Sequence, residues 1–162
     1  MDNYAELPDF VTIYTSNAVN PTPTNLEFKW NLPASYYSPD RVSTCYVSLA
    51  GCFGDFSSVT AGDAIAIVMK DGATNYSSTD NRGIVLGGVY DNNNAAYKPI
   101  TQGLIQPLIQ SRPQTIEIHF TELDGTALSC PVGFLAIITL RFDYINSKEQ
   151  VRGLEATTQR NL

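Results

Sequence analysis

His119 is the only histidine in the chain, and together with Glu117 and Thr121 it forms the pattern that most resembles a catalytic group. A histidine beside a carboxylate can act as a general base when a nucleophile lies within reach. The three residues alternate with apolar neighbours, so a strand would place them on one face. The sequence offers no nucleophile at a diagnostic spacing, and it lacks the G-x-S-x-G elbow. A Ser-His-Asp arrangement formed in three dimensions stays open, but we interpret the cluster as a surface pair and expect no catalytic residue and no enzyme.

The three cysteines are spaced too widely for a zinc site, which needs short spacings such as C-x2-C. Cys45 and Cys52 fall on one predicted strand and would point to opposite faces, so we expect free thiols and synthesis in a reducing compartment. Asp71, residues 80–81 and residues 91–94 are rich in the oxygen ligands that Ca²⁺ takes. Because Asp and Asn also favour turns, we interpret these stretches as turns. We therefore expect no metal and no cofactor.

Several tyrosines are the best candidates for a binding surface. They fall in predicted loops or at strand ends, where an aromatic ring with a polar tip suits a protein interface or a sugar site. Ordinary loop anchoring explains such residues equally well. The candidate interface residues are Tyr36, Tyr37, Tyr76, Tyr90 and Tyr97.

The elements that would position these residues are strands. Alternation of apolar and polar residues, with turn signals between the runs, predicts eight of them. They cover residues 10–15, 26–32, 42–53, 64–70, 83–90, 104–110, 116–121 and 133–145. Gly51 and Gly54 indicate a bulge or the end of the third strand. Pro107 suits an edge strand or a bulge in the sixth strand, and a short helical turn is the alternative.

Eight short strands without an amphipathic helix predict an all-β fold, and we expect an eight-stranded single jelly-roll sandwich. The immunoglobulin spacing Cys…Trp…Cys is missing, because the single tryptophan precedes all three cysteines. We divide the chain into an N-terminal arm (residues 1–9), the jelly-roll domain (10–146) and a flexible C-terminal tail (147–162). Residues 91–103 are expected to be a long polar connection.

Composition narrows the functional classes. The chain has 162 residues, of which 43% are hydrophobic and only 16% charged, whereas soluble domains average about 25% charged residues. A surface with so little charge suits a protein that is packed among neighbours, or an extracellular β-protein. The net charge of −6 argues against a nucleic-acid partner, because phosphate contacts need a basic face. No secretion signal is recognisable, and no apolar run reaches the roughly 18 residues of a membrane span.

Residues 112–145 are the most patterned part of the chain. Ile116, Ile118 and Phe120 alternate with polar residues, and Asp124-Gly125 then gives a hairpin signal. Residues 133–138 are apolar on both faces, so we expect this part of the last strand to be buried on both faces and to lie centrally in its sheet or under another layer. The two strands are predicted to pair as the core hairpin of the fold.

This hairpin carries a family resemblance. The pattern R-P-Q-x-I-x-I-x-F-x-x-x-D-G, followed by an apolar strand that ends L-R-F-x-Y, resembles the last two strands of single jelly-roll capsid proteins. These are penton and minor capsid proteins of large double-stranded DNA viruses, virophages and their relatives. The upstream order L-E-F-K-W-N-L, C-Y-V-S-L and A-I-A-I-V-M is compatible with that family.

The resemblance implies a structural protein of the virion, made in the host cytoplasm. It would assemble with itself as a pentamer or trimer, and with other capsid proteins, through loops and terminal arms. Two alternatives stay open on the same fold: a carbohydrate-binding module, and a trimeric ligand of the tumour-necrosis-factor or C1q type.

Overall fold

The structure, a computed structural model, describes residues 8–33, 44–61, 64–70, 84–91, 97–100, 106–107 and 114–145. Within these residues the chain forms β-strands and short 3-10 turns, at Thr15–Asn17 and Phe56–Ser58, and contains no α-helix. The strands are β1 (Asp9–Tyr14), β2 (Glu27–Asn31), β3 (Thr44–Gly54), β4 (Ala64–Lys70), β5 (Ile84–Asp91), β6 (Tyr97–Ile100), β7 (Gln106–Pro107), β8 (Thr115–Thr121) and β9 (Ala136–Ile145). The expected all-β class is confirmed.

The strands form two antiparallel sheets in a sandwich-like arrangement. One sheet has four strands in the order β1-β9-β3-β7, and the other has five in the order β2-β8-β4-β5-β6. Successive side chains of a strand point to opposite faces, so each sheet turns one apolar face towards the other. The inward residues of β8 and β9 illustrate this alternation: Ile116, Ile118, Phe120, Ile138, Leu140 and Phe142 are all fully buried.

Aromatic rings fill one end of the core. Phe28 on β2, Phe120 on β8, Phe56 and Phe134 pack with ring centroids 5.3 to 6.4 Å apart, mostly edge to face. Phe56 lies in the 3-10 turn after β3, and Phe134 lies just before β9. The connections at this end are therefore held to the core by their own side chains.

The predicted hairpin between the last two strands is wrong. β8 belongs to the five-stranded sheet and β9 to the four-stranded sheet, so they do not pair. The turn at Asp124-Gly125 does form: Gly125 adopts φ +88°, and the Asp124 carboxylate accepts the Thr126 N–H at 2.9 Å. Beyond it the chain runs beside the start of β2, where the Leu26 N–H donates to the Leu128 carbonyl at 2.8 Å. It then crosses to the other sheet.

The predicted count of eight strands is not confirmed. Strand β6, which pairs with β5 at the edge of the five-stranded sheet, lies within residues 91–103, where we expected only a polar connection. Strand β7 contains Pro107 and forms an edge of the four-stranded sheet, as the proline predicted. Most of the predicted arm and all of residues 147–162 fall outside the described residues.

A bulge changes the orientation of the thiol on β3. The register of β3 against β9 shifts between Leu49 and Gly51, as the glycine indicated. The shift reverses the alternation, so Cys52 points into the core with Val47 and Leu49, although it was predicted on the opposite face. Burial raises the pKa of the Cys52 thiol to about 12.

Candidate functional site

The predicted interface tyrosines are only partly covered by the structure. Tyr36, Tyr37 and Tyr76 lie outside the described residues. Tyr90 and Tyr97 lie on the neighbouring strands β5 and β6, one register step apart, because Tyr90 pairs with Lys98 and Asp91 pairs with Tyr97. The backbone thus brings two of the five residues together, and their role in an interface stays a prediction.

The His119 cluster lies on the outer face of the five-stranded sheet. Its Nε2 is 2.6 Å from the Glu117 Oε1, and its Nδ1 is 3.8 Å from the Glu27 Oε1. In the strand register Glu117 lies between Lys29 on β2 and Lys70 on β4. Opposite charges on adjacent strands attract one another, so the geometry suits a cross-strand charge network. Both ring nitrogens of His119 therefore face carboxylates.

Metal ligands do not gather in the described part of the chain. No group of three or more His, Cys, Asp or Glu side chains there is arranged to hold an ion. Of the oxygen-rich stretches in the sequence, Asp71, residues 80–81 and residues 92–94 lie outside the described residues.

No helix among the described residues is long and apolar enough to cross a membrane.

The feature that stands out is a cluster of exposed apolar side chains on the outer face of the four-stranded sheet. Tyr14 on β1 is opposite Ile137 on β9, and Ile137 is opposite Phe53 on β3, so the three form a row across adjacent strands. Leu135 adjoins this row. The exposed fractions are 46% for Tyr14, 36% for Ile137, 70% for Phe53 and 58% for Leu135. These four side chains line a depression of about 390 Å³, which we call the apolar groove.

Close backbone packing holds the base of the apolar groove. The Thr15 hydroxyl, almost fully buried, accepts the Ala136 N–H at 2.8 Å and donates to the Ala136 carbonyl at 3.3 Å. On the other side of β9 the Asp55 N–H donates to the Leu135 carbonyl at 3.0 Å. Gly54 lies against Ala136 so closely that a methyl group would not fit without movement. The backbone beneath the groove residues is therefore held in place by hydrogen bonds and close packing between β1, β9 and β3.

More apolar residues protrude from the same end of the sandwich. This end, which we call the loop end, comprises the connections after β1, β3 and β8 (residues 15–26, 55–61 and 122–135). Leu123 and Val132, at the tips of two turns after β8, are 70% and 106% exposed. Gly125 and Gly133 give these turns their positive φ angles of +88° and +78°. Main-chain hydrogen bonds tie the connections together, including one from the Cys130 N–H to the Thr24 carbonyl at 2.9 Å.

The sequence did not reveal the apolar groove. Leu135 and Ile137 were expected to be covered on both sides, and the structure corrects this: β9 is internal to its sheet, yet these two side chains face outwards. The signal in the sequence was the two-sided apolar run itself, which is buried by a second layer or by a partner. No protein-family model matches the chain, and no curated protein sequence matches it.

Proposed function

We propose that this chain is a self-assembling structural protein with a jelly-roll fold, of the capsid kind. Strand pairing supports the fold. β1 pairs with β9, β2 with β8, β3 with β7 and β4 with β5. Such nested pairing, from the chain ends to its middle, is what rolling up one long antiparallel ribbon produces, and jelly rolls are built in this way. In this scheme β6 is an added edge strand.

The observation that carries the proposal is the exposed apolar surface at the loop end. Isolated exposed apolar residues are ordinary, but contiguous apolar patches on a folded domain mark surfaces that contact other proteins. Here Tyr14, Phe53, Leu135 and Ile137 adjoin one another across three strands and the loop end. Aromatic residues in such a patch are the side chains that contribute most to binding when a partner covers them.

Chemistry of the apolar groove favours a protein partner over a carbohydrate. A sugar site needs polar groups that converge on the ligand hydroxyls. The groove is lined mainly by carbon, and the Asp55 carboxylate at its rim accepts a hydrogen bond from the Ser57 hydroxyl at 3.0 Å. We therefore place the carbohydrate-binding alternative second, and no described feature favours the cytokine-like alternative over capsid assembly.

In the proposed role several copies join around a symmetry axis, as a pentamer or trimer, and contact other capsid proteins in a virion assembled from host-made subunits. Low surface charge suits this role, since each subunit is surrounded by neighbours. The resemblance of the sequence pattern of β8 and β9 to capsid proteins points in the same direction.

The test is the assembly state of the full chain with and without the aromatic ring in the groove. We expect light scattering and electron microscopy to show closed oligomers of the purified protein, and Phe53→Ser to weaken them at least about 30-fold, since loss of a central interface residue costs about 2 kcal/mol or more. Val85→Thr is the matched control, because Val85 is 38% exposed on the other sheet. A wild-type protein that stays monomeric at high concentration, or equal effects of the two variants, would contradict the proposal.

A further inference from the structure

We infer that two copies of this chain pair through the edge strand β1, making one continuous sheet across a two-fold axis. This pairing does not depend on the capsid function, because it follows from the backbone and side chains of β1 alone. Within the described residues β1 has one strand partner, β9, and its other side is the edge of the four-stranded sheet.

Hydrogen bonds at the end of β1 show which of its residues face this edge. Both the N–H and the carbonyl of Ala136 are bonded to the Thr15 hydroxyl, so the polar groups of Ala136 point towards β1. Bonding direction alternates along a strand, and β9 pairs with β1 in a regular register. It follows that Phe10, Thr12 and Tyr14 direct their own N–H and carbonyl groups away from β9, into the open edge.

One of these outward groups is already engaged. The Tyr14 carbonyl accepts the Trp30 Nε1–H at 2.9 Å, which agrees with its pointing away from β9. A carbonyl oxygen has a second lone pair, so this bond leaves room for another donor.

The neighbouring edge of the other sheet is treated differently. The outer side of β2 is covered by the connection that follows β1: the Val19 N–H donates to the Lys29 carbonyl at 2.7 Å, and the Asn20 side chain bonds the Lys29 N–H and the Glu27 carbonyl. Proteins block exposed edges in such ways to prevent pairing with other chains. Because β2 is blocked in this manner and β1 carries no comparable cover in the described residues, β1 is the edge suited to a strand partner.

The sequence of β1 selects a second copy as that partner. Residues 10–14 read F-V-T-I-Y, which is symmetric by class about Thr12: an aromatic residue at each end, a β-branched residue on each side and threonine at the centre. In an antiparallel pair centred on Thr12, Phe10 of one copy is opposite Tyr14 of the other, and Val11 is opposite Ile13. Aromatic and β-branched cross-strand pairs are favourable, and a two-fold contact requires this kind of self-complementarity.

The outer side chains and the charges fit the same arrangement. Phe10 and Tyr14 are 58% and 46% exposed, so each has surface to bury against its partner. The only charged residue of the strand, Asp9, would face Thr15 of the second copy, and no like charges meet. A single strand pair is smaller than the roughly 1,200 Å² of a stable interface, so the contact is expected to be weak unless other contacts support it.

Cysteine cross-linking tests the register. Hydrogen-bonded partners in an antiparallel pair have Cα atoms about 5.5 Å apart, within the roughly 4.4 to 6.8 Å that a disulfide spans. We expect Thr12→Cys to give a covalent dimer under mild oxidation, at a yield at least tenfold above that of Thr139→Cys. Thr139 lies beside Thr12 on β9, so each copy places it one strand further from the two-fold axis. The two Thr139 Cα atoms would therefore be roughly 15 Å apart, too far for a disulfide. The wild-type chain under the same oxidant gives the background from the native cysteines.

A second pair of variants tests the backbone bonds. Thr12→Pro removes an N–H that faces the edge and not β9, whereas Thr12→Val keeps this N–H and loses only the hydroxyl bond to Thr139. In sedimentation at high concentration we expect Thr12→Val to dimerise like the wild type and Thr12→Pro to dimerise at least tenfold more weakly. Equal behaviour of these two variants, or equal cross-linking at residues 12 and 139, would overturn the inference. Phe53→Ser should leave the Thr12→Cys cross-link intact, so failure of the two proposals can be told apart.

Discussion

Replacing Gly54 by alanine should destabilise the fold markedly. Gly54 ends β3 where this strand meets the start of β9. A Cβ added there would lie 2.8 Å from the Ala136 Cβ, 2.8 Å from the Phe56 Cε2 and 3.2 Å from the Leu135 carbonyl oxygen. Carbon atoms in good contact are about 3.5 to 4.0 Å apart, so the overlap with two carbons is close to 1 Å.

Neither neighbour of Gly54 can move away easily. Ala136 is fixed by the β9 backbone, and the Phe56 ring is buried in the aromatic cluster. Overpacking of this kind costs about 1–3 kcal/mol, and we expect Gly54→Ala near the upper end of that range. For a domain of this size the melting temperature should fall by about 3 to 10 °C.

Gly51→Ala is the matched control for this prediction. A Cβ at Gly51 would meet only the Phe53 Cε2 at 3.8 Å, which is an ordinary contact. We expect its unfolding free energy to stay within about 0.5 kcal/mol of the wild type. Urea unfolding followed by the fluorescence of Trp30, the single buried tryptophan, measures both variants. If Gly54→Ala is as stable as Gly51→Ala, Gly54 does not lie as tightly between Ala136 and Phe56 as these distances require.

Two further predictions concern buried polar groups on the same sheet. Thr15→Val should lower the free energy of unfolding in urea by about 1–3 kcal/mol, because it leaves the Ala136 N–H and carbonyl without their buried partner. Thr12→Val, at an exposed position, should lower it by less than about 0.5 kcal/mol, and equal losses would refute the role of the Thr15 hydroxyl. Cys52, whose thiol has a pKa of about 12, should resist iodoacetamide at pH 8 in the folded chain and react once urea unfolds it, and rapid labelling of native Cys52 in mass spectrometry would contradict this. Because the unfolded thiol ionises first, the stability that its burial contributes should be complete below pH 9 and decline between pH 9 and 12.

Local pattern predicted the strands but not their partners. Alternation identified β2 and β8 well, because each strand has one core face and one outer face. Apolar and polar residues therefore alternate along its sequence. The hairpin prediction failed for a physical reason: Asp124-Gly125 specifies a tight turn, and nothing local states whether the chain afterwards returns along the same strand or crosses to the other sheet. In this protein the chain runs beside the start of β2, where the Leu26 N–H donates to the Leu128 carbonyl, and then crosses to the other sheet.

The direction of side chains was predicted wrongly where a bulge interrupts the alternation and where apolar residues are exposed. The bulge between Leu49 and Gly51 adds one residue to β3, which is enough to turn Cys52 from the expected outer face into the core. Leu135 and Ile137 are apolar in sequence and exposed in the structure. An apolar run reports that something covers it but does not distinguish a second sheet from a second subunit, so the groove could not be located from sequence.

The two outer faces of the sandwich differ in a way that bears on assembly. On the five-stranded sheet, Glu117 is flanked by Lys29 and Lys70 in the register and lies 2.6 Å from His119, so residues of opposite charge are neighbours within the chain. Such exposed charged residues gain little from a partner. The four-stranded sheet presents the apolar groove at one end, where burial would remove unfavourable contact with water. Along its edge it presents the open side of β1, where a partner strand would replace the water that bonds the backbone. Tyr14 belongs to both surfaces, because its side chain lines the groove while its backbone faces the edge.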